Sequence, residues 1–126
     1  MSDMMSDRKH IATKEDWENY PMPSKNAEFT IKRRFTDEEI DRLKSGHIPE
    51  EMEDRWFSYF EDNKLYIHRS WSGICIYIVE FGFQSNFILN FKANKHRVIV
   101  NRDDSQYTCT DIDEDIEQLN DLLDSL

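Results

Sequence analysis

Two turn dipeptides constrain this chain more than any other feature. Asp62-Asn63 and Ser72-Gly73 interrupt a stretch, Arg55 to Phe81, that is otherwise dominated by aromatic and β-branched residues. Asp, Asn and Gly tolerate the positive φ that two-residue hairpin turns need. The stretch therefore reads as an antiparallel meander with strands over 55–61, 64–71 and 74–81.

Tight turns fix register, and register fixes faces, because successive side chains of a strand point to opposite sides. With both turns two residues long, Trp56 lies opposite Arg69, and Arg69 opposite Ile76. Phe57, His68 and Tyr77 form the next row, Tyr59, Tyr66 and Val79 another, and Ser70 faces Cys75. One face then carries Trp56, Ser58, Phe60, Leu65, Ile67, Arg69, Trp71, Ile74, Ile76 and Ile78. It is mainly aliphatic and should meet the helices. The other carries Phe57, Tyr59, Tyr66, His68, Ser70, Cys75, Tyr77, Val79 and Phe81, an aromatic surface with hydroxyls, an imidazole and a thiol.

Two features of these faces admit more than one reading. Arg69 sits on the aliphatic face. Either its stem packs on Trp56 while its head reaches water, or it is held for a phosphate or carboxylate such as Glu80. The Tyr-His-Tyr-Ser surface is either a second core layer, covered by residues 13–27 or by a second subunit, or a ligand platform of flat rings with a few orienting polar tips. The candidate ligand-binding set is Tyr59, Tyr66, His68, Arg69, Ser70 and Tyr77.

Upstream, residues 1–12 are polar and aperiodic and read as a mobile tail. A single α+β domain is expected over 13–126. Pro21 and Pro23 forbid a regular helix in 13–27, where Trp17 and Tyr20 should pin the segment to the domain. Glu28 to Phe35 alternates as a half-buried strand. Thr36 with Glu39 forms a capping box, flanked by the staple pair Phe35 and Ile40, for a helix ending at Gly46. Pro49 should open a short helical turn through Met52. Downstream, strands are expected over 87–92 and 97–102. A C-terminal helix capped by Thr110 should follow, with Ile112, Ile116, Leu119, Leu122, Leu123 and Leu126 on its apolar stripe. The fold class is α+β: an N-terminal strand and short helix, an antiparallel meander of four to five strands, and a packed C-terminal helix.

Charge narrows the partners. The chain has 126 residues, 16 basic and 26 acidic, for a net charge of −10. Non-specific nucleic-acid binding is disfavoured. The acids Asp111, Asp113, Glu114, Asp115, Glu117, Asp121 and Asp124 read first as a solvated helix face, and second as a surface for a basic protein. Between Gly82 and Arg102 there is no acid, but Lys92, Lys95, Arg97, Arg102 and His96 are present, and Lys32-Arg33-Arg34 forms another basic run. These are either solvated strand edges or a local anion site. The longest apolar run, Ile74–Val79, cannot span a bilayer. The charged N-terminal stretch does not read as a signal peptide, so a cytoplasmic location is expected. Cys75 and Cys109 do not make a disulfide scaffold.

Catalytic patterns are sparse. His68 and Cys75 share a face but lack an orienting Asn or Asp in the same register. The histidines at 10, 47, 68 and 96 are scattered, without HxxxH or CxxC, so no metal and no cofactor is expected. No phosphate-binding glycine loop is present.

The run Met52-Glu53-Asp54-Arg55-Trp56-Phe57, with Leu65-Tyr66-Ile67-His68-Arg69-Ser70-Trp71-Ser72-Gly73-Ile74-Cys75-Ile76-Tyr77, resembles a small uncharacterised bacterial and phage domain with a WF-x-Y-x-E…LY-x-HRSW-[ST]-G-x-CIY pattern. That domain occurs alone or beside ADP-ribose-processing enzymes. The resemblance carries no activity residue by residue, but it implies a neighbourhood of ADP-ribose chemistry. The leading expectation is a non-enzymatic binding module for a small anionic or nucleotide-like ligand. The alternatives are an acidic inhibitor or immunity-type factor that meets a basic protein through the C-terminal helix, and a hydrolase of an ADP-ribose-type substrate. A homodimer is compatible with each.

Overall fold

The computed structural model describes residues 10–82 and 95–126. The expected strand over 87–92, Lys92 included, and residues 1–9 of the expected tail lie outside the described residues. The fold is α+β, as expected. Five strands, β1 (Asn26–Lys32), β2 (Trp56–Glu61), β3 (Lys64–Arg69), β4 (Cys75–Glu80) and β5 (Lys95–Asn101), form one antiparallel sheet in the order β1-β5-β4-β3-β2. Helices α1 (Asp37–Ser45) and α2 (Ile112–Ser125) complete it.

The first turn behaves as its residues dictate. Asp62 and Asn63 adopt φ of 53° and 65°, and β2 pairs with β3 in the expected register, Trp56 opposite Arg69 through Glu61 opposite Lys64. The second does not. Arg69 N–H bonds Ile74 O at 2.9 Å and Gly73 N–H bonds Arg69 O at 2.8 Å, so the loop is Ser70-Trp71-Ser72-Gly73, not a two-residue turn. His68 then pairs with Cys75 but Ile67 with Tyr77, which leaves Ile76 as a bulge. A bulge puts two residues opposite one. Ile76 and Tyr77 both enter the main core, and every residue beyond changes face relative to the expectation. Tyr66 consequently faces Ile78, not Val79.

The main core lies on the face that carries Leu65, Ile67, Ile76, Tyr77, Val79, Phe81, Val98 and Val100. Ile40 and Leu43 of α1 and Leu119, Leu122 and Leu123 of α2 pack into it. Thr36 caps α1 as its capping box predicts: its hydroxyl accepts from Glu39 N–H at 3.1 Å, and its own N–H donates to the Glu39 carboxylate at 2.9 Å. Such caps contribute about 1 kcal/mol. For α2 the cap is Asp111, not Thr110. No base lies in its last turn. Arg42 supplies the cation instead, donating to Leu126 O at 3.0 Å and Leu123 O at 2.5 Å. Residues 51–53 form a turn closed by Asp54 N–H to Glu51 O, not the expected helical turn.

The opposite face is covered over β2–β4 by the N-terminal segment. Ala12 is 2% exposed and packs with Phe57 and Tyr59, so residue 12 belongs to the packed domain and not to a tail. Ala12 N–H bonds Ser45 O and Tyr20 N–H bonds Gly73 O. The Trp17 indole N–H bonds Ser70 O at 2.8 Å, and its ring stacks on Phe57. A 3₁₀ turn, Lys14–Asp16, sits between. Trp17 pins the strap as expected; Tyr20 helps through its backbone N–H and one edge of a half-exposed ring that lies over Gly73.

Candidate functional site

Sheet and strap enclose a cavity of about 420 Å³. The sheet contributes Tyr59, Glu61, Tyr66, His68, Cys75 and Ile78, and the strap contributes Lys14, Asn19, Tyr20, Pro21 and Met22. Alternation along β2 and β3 places Tyr59, Tyr66 and His68 on this side, and the bulge adds Ile78. Tyr59 stacks on Tyr66 with ring centroids 4.8 Å apart and planes 8° from parallel, and on His68 at 5.8 Å and 15°. The rings form a continuous shelf.

His68 is 1% exposed. Its Nδ1 lies 3.0 Å from Gly73 O, a carbonyl that can only accept, so the hydrogen sits on Nδ1. That leaves Nε2 as a lone-pair acceptor, and it is buried without a partner. Burial, assisted slightly by Lys14, holds the imidazole below its usual range and keeps it neutral. Burial likewise raises the Tyr59 and Tyr66 phenols. Both stay protonated donors. The Cys75 thiol is pushed up to about 12 by burial and donates to Tyr77 O at 3.8 Å. It stays a thiol at neutral pH and is no activated nucleophile.

The six residues singled out from the sequence divide into four groups. Tyr59, Tyr66 and His68 meet in the strap cavity. Ser70 is buried behind Trp17, where its hydroxyl donates to Asp54 O and its carbonyl accepts the indole N–H; its role is to anchor the strap. Tyr77 lies on the other face, displaced by the bulge. Its hydroxyl donates to Asp115 Oδ1 at 3.0 Å within a buried group completed by Tyr107, Gln118 and Arg102. Arg69 is exposed with its guanidinium 5.5 Å from the Trp56 ring centroid, so it is the charged head, and not the stem, that is placed against the indole. It borders a separate cleft of about 520 Å³ with Tyr107, Cys109, Glu114 and Gln118.

Three arginines of the basic runs are tied to acids of the same chain. Arg97 is bound by Glu80 at 2.6 Å and Glu28 at 3.6 Å, Arg102 by Asp115 at 2.5 Å, and Arg33 by Asp124 at 2.6 Å and Glu39 at 3.2 Å. The acidic helix is not wholly a solvated face. Asp115 is buried and Asp124 is tied to Arg33; Asp113, Glu114, Glu117 and Asp121 remain exposed. Among the described residues no three His, Cys, Asp or Glu side chains converge as a metal site, and no helix is long and apolar enough to cross a membrane.

Sequence reasoning missed Lys14, Asn19, Pro21, Met22 and Ile78 as lining residues. The two prolines signalled an extended segment and the aromatic strand face signalled a cover, but neither gives the strap's register. No family model matches the chain, and no curated protein or solved structure does either.

Proposed function

We propose that the chain is a non-enzymatic binding module whose ligand occupies the strap cavity. The observation that carries this is the partnerless Nε2 of His68, shielded from solvent at the wall of a cavity lined by aromatic rings, which a ligand reaches when the strap shifts. A buried acceptor without a partner costs about 1–3 kcal/mol. A ligand N–H or O–H bonded to Nε2 removes that cost. The cavity volume falls within the range of small-molecule sites. Tyr66 and Ile78 offer apolar contact to a flat ring. Lys14 offers a positive charge to an anionic group, and Glu61 accepts from hydroxyls. A nucleotide-like molecule combines these needs: a heterocyclic N–H edge, sugar hydroxyls and a phosphate. Such a ligand also fits the ADP-ribose neighbourhood implied by the strand motif.

The test is a thermal-shift screen of nucleotides, ADP-ribose and phosphorylated metabolites, followed by titration of hits. A ligand at 100 times its dissociation constant should add about 2.7 kcal/mol of stability. His68→Phe keeps the ring and removes the acceptor; Lys14→Ala alters an exposed residue. Each should weaken the hit by about tenfold or more. A screen without a hit, or a hit that binds both variants as tightly as the wild type, would overturn the reading.

A further inference from the structure

We infer that the ledge around Trp71 docks a basic segment of a partner protein, one that presents an apolar side chain flanked by lysines or arginines. The site is distinct from the strap cavity and does not depend on it. Trp71, at the tip of the β3–β4 loop, is 72% exposed, and Met52 beside it is 78% exposed. With Trp17 and Pro49 they line an open groove of about 370 Å³.

Adjacent exposed large apolar side chains of this kind mark interaction surfaces. The Trp71 ring is also fixed before anything binds. Its indole N–H donates to Met52 O at 2.9 Å, and the Arg55 guanidinium lies 6.0 Å from its centroid. A pre-set tryptophan loses little freedom on association. Met52 brings a flexible thioether that adapts to different side chains.

The rim decides the occupant. Glu50, Glu51 and Asp54 border the groove, and Glu53 is exposed in the same turn. Against them stand Arg55, already over the indole, and His47, bonded to Asp54 at 2.8 Å. The rim is therefore net acidic and draws cations to the apolar floor. A second copy of the chain is disfavoured, since each carries a net charge of −10.

The probe is a short peptide in which arginine and lysine flank a central Leu-Phe pair. Its controls carry glutamate flanks or an Ala-Ala centre. Binding to the full chain is followed by the Trp71 and Trp17 indole signals and the Met52 methyl. The basic apolar peptide should shift these signals, with an affinity that falls as salt rises. Trp71→Ala and Glu50→Lys with Glu51→Lys should each lose about tenfold or more while the melting temperature holds, because these side chains are exposed. The proposal fails if the acidic peptide binds equally well, if Trp71→Ala keeps full affinity, or if no signal moves up to about 1 mM peptide. It also fails if the wild type forms a concentration-dependent dimer that Trp71→Ala abolishes, which would make a second copy the occupant.

Discussion

Replacing Asp115 by Ala should be the most damaging single change on α2, although the sequence places it in a run of solvated acids. Its carboxylate is fully buried. It holds Arg102 at 2.5 Å, itself only 15% exposed, and accepts from Tyr107 at 2.7 Å and Tyr77 at 3.0 Å. Removing one partner of a buried pair leaves an uncompensated charge, and costs about 3–5 kcal/mol. The two tyrosine hydroxyls lose less, because Gln118 and each other remain as partners. The domain's whole stability is about 5–15 kcal/mol, so the change consumes a large part of it. Urea unfolding gives the difference from the shift in midpoint at constant slope. Glu117→Ala, exposed two residues away on the same helix, is the control and should stay within about 0.5 kcal/mol. Adding Arg102→Met to Asp115→Ala should recover much of the loss, since the stranded charge is then gone. A cost for Asp115→Ala below about 1 kcal/mol, or equal to that of Glu117→Ala, would refute the reasoning.

Glycine substitutions should report on the strap: Gly46 and Gly73 both have φ of 77°, and an added Cβ would lie 2.6 Å from Ala12 Cβ and Ser58 O in the first case, 2.9 Å from Glu18 O in the second. Each Ala variant should lose at least about 1–2 kcal/mol from the left-handed backbone alone. Gly46→Ala should lose more, and both should show faster proteolysis within residues 12–22. Burial holds His68 and His96 below the ordinary 6.5, so the unfolded chain takes up protons first as pH falls. Stability should be intact above about pH 6.5 and decline below it until the folded-state values are passed, by at most about 1.4 kcal/mol per pH unit per histidine. Urea midpoints taken from pH 7.5 to pH 5, roughly, check this, and a flat profile would contradict it. Ile67→Ala and Ile76→Ala, both fully buried, should each cost about 2–5 kcal/mol by denaturant midpoint. Cys75 and Cys109 are both free; a thiol reagent should label half-buried Cys109 first and reach Cys75 only on unfolding.

The fold class and the first hairpin were legible because local chemistry decided them: Asp62-Asn63 can form only a few turns, and the Thr36–Glu39 box announces its helix. The second hairpin was not. Ser72-Gly73 suits a two-residue turn and the end of a four-residue loop equally well, and no local signal marks Ile76 as a bulge. That one residue moved Tyr77 into the core and Ile78 into the cavity. The pairing of β1 with β5, and Asp115 turning inward towards Arg102, rest on contacts far apart in sequence. The aromatic shelf of Tyr59, Tyr66 and His68 was legible, since it depends on the first hairpin alone.

The strap rests on two glycines, with Ala12 over Gly46 and Glu18-Asn19 over Gly73. Each of its footholds, Ser45, Ser70 and Gly73, belongs to an element completed later in the chain. During synthesis the strap emerges first, yet two of its three footholds, Ser70 and Gly73, form only when the β3–β4 hairpin has closed, so it docks late. It is also fastened by few hydrogen bonds, and segments so fastened open at a free energy below that of global unfolding. Exchange of any molecule held beneath it is then governed by strap lifting, with dissociation slower than the contacts in the cavity alone would give.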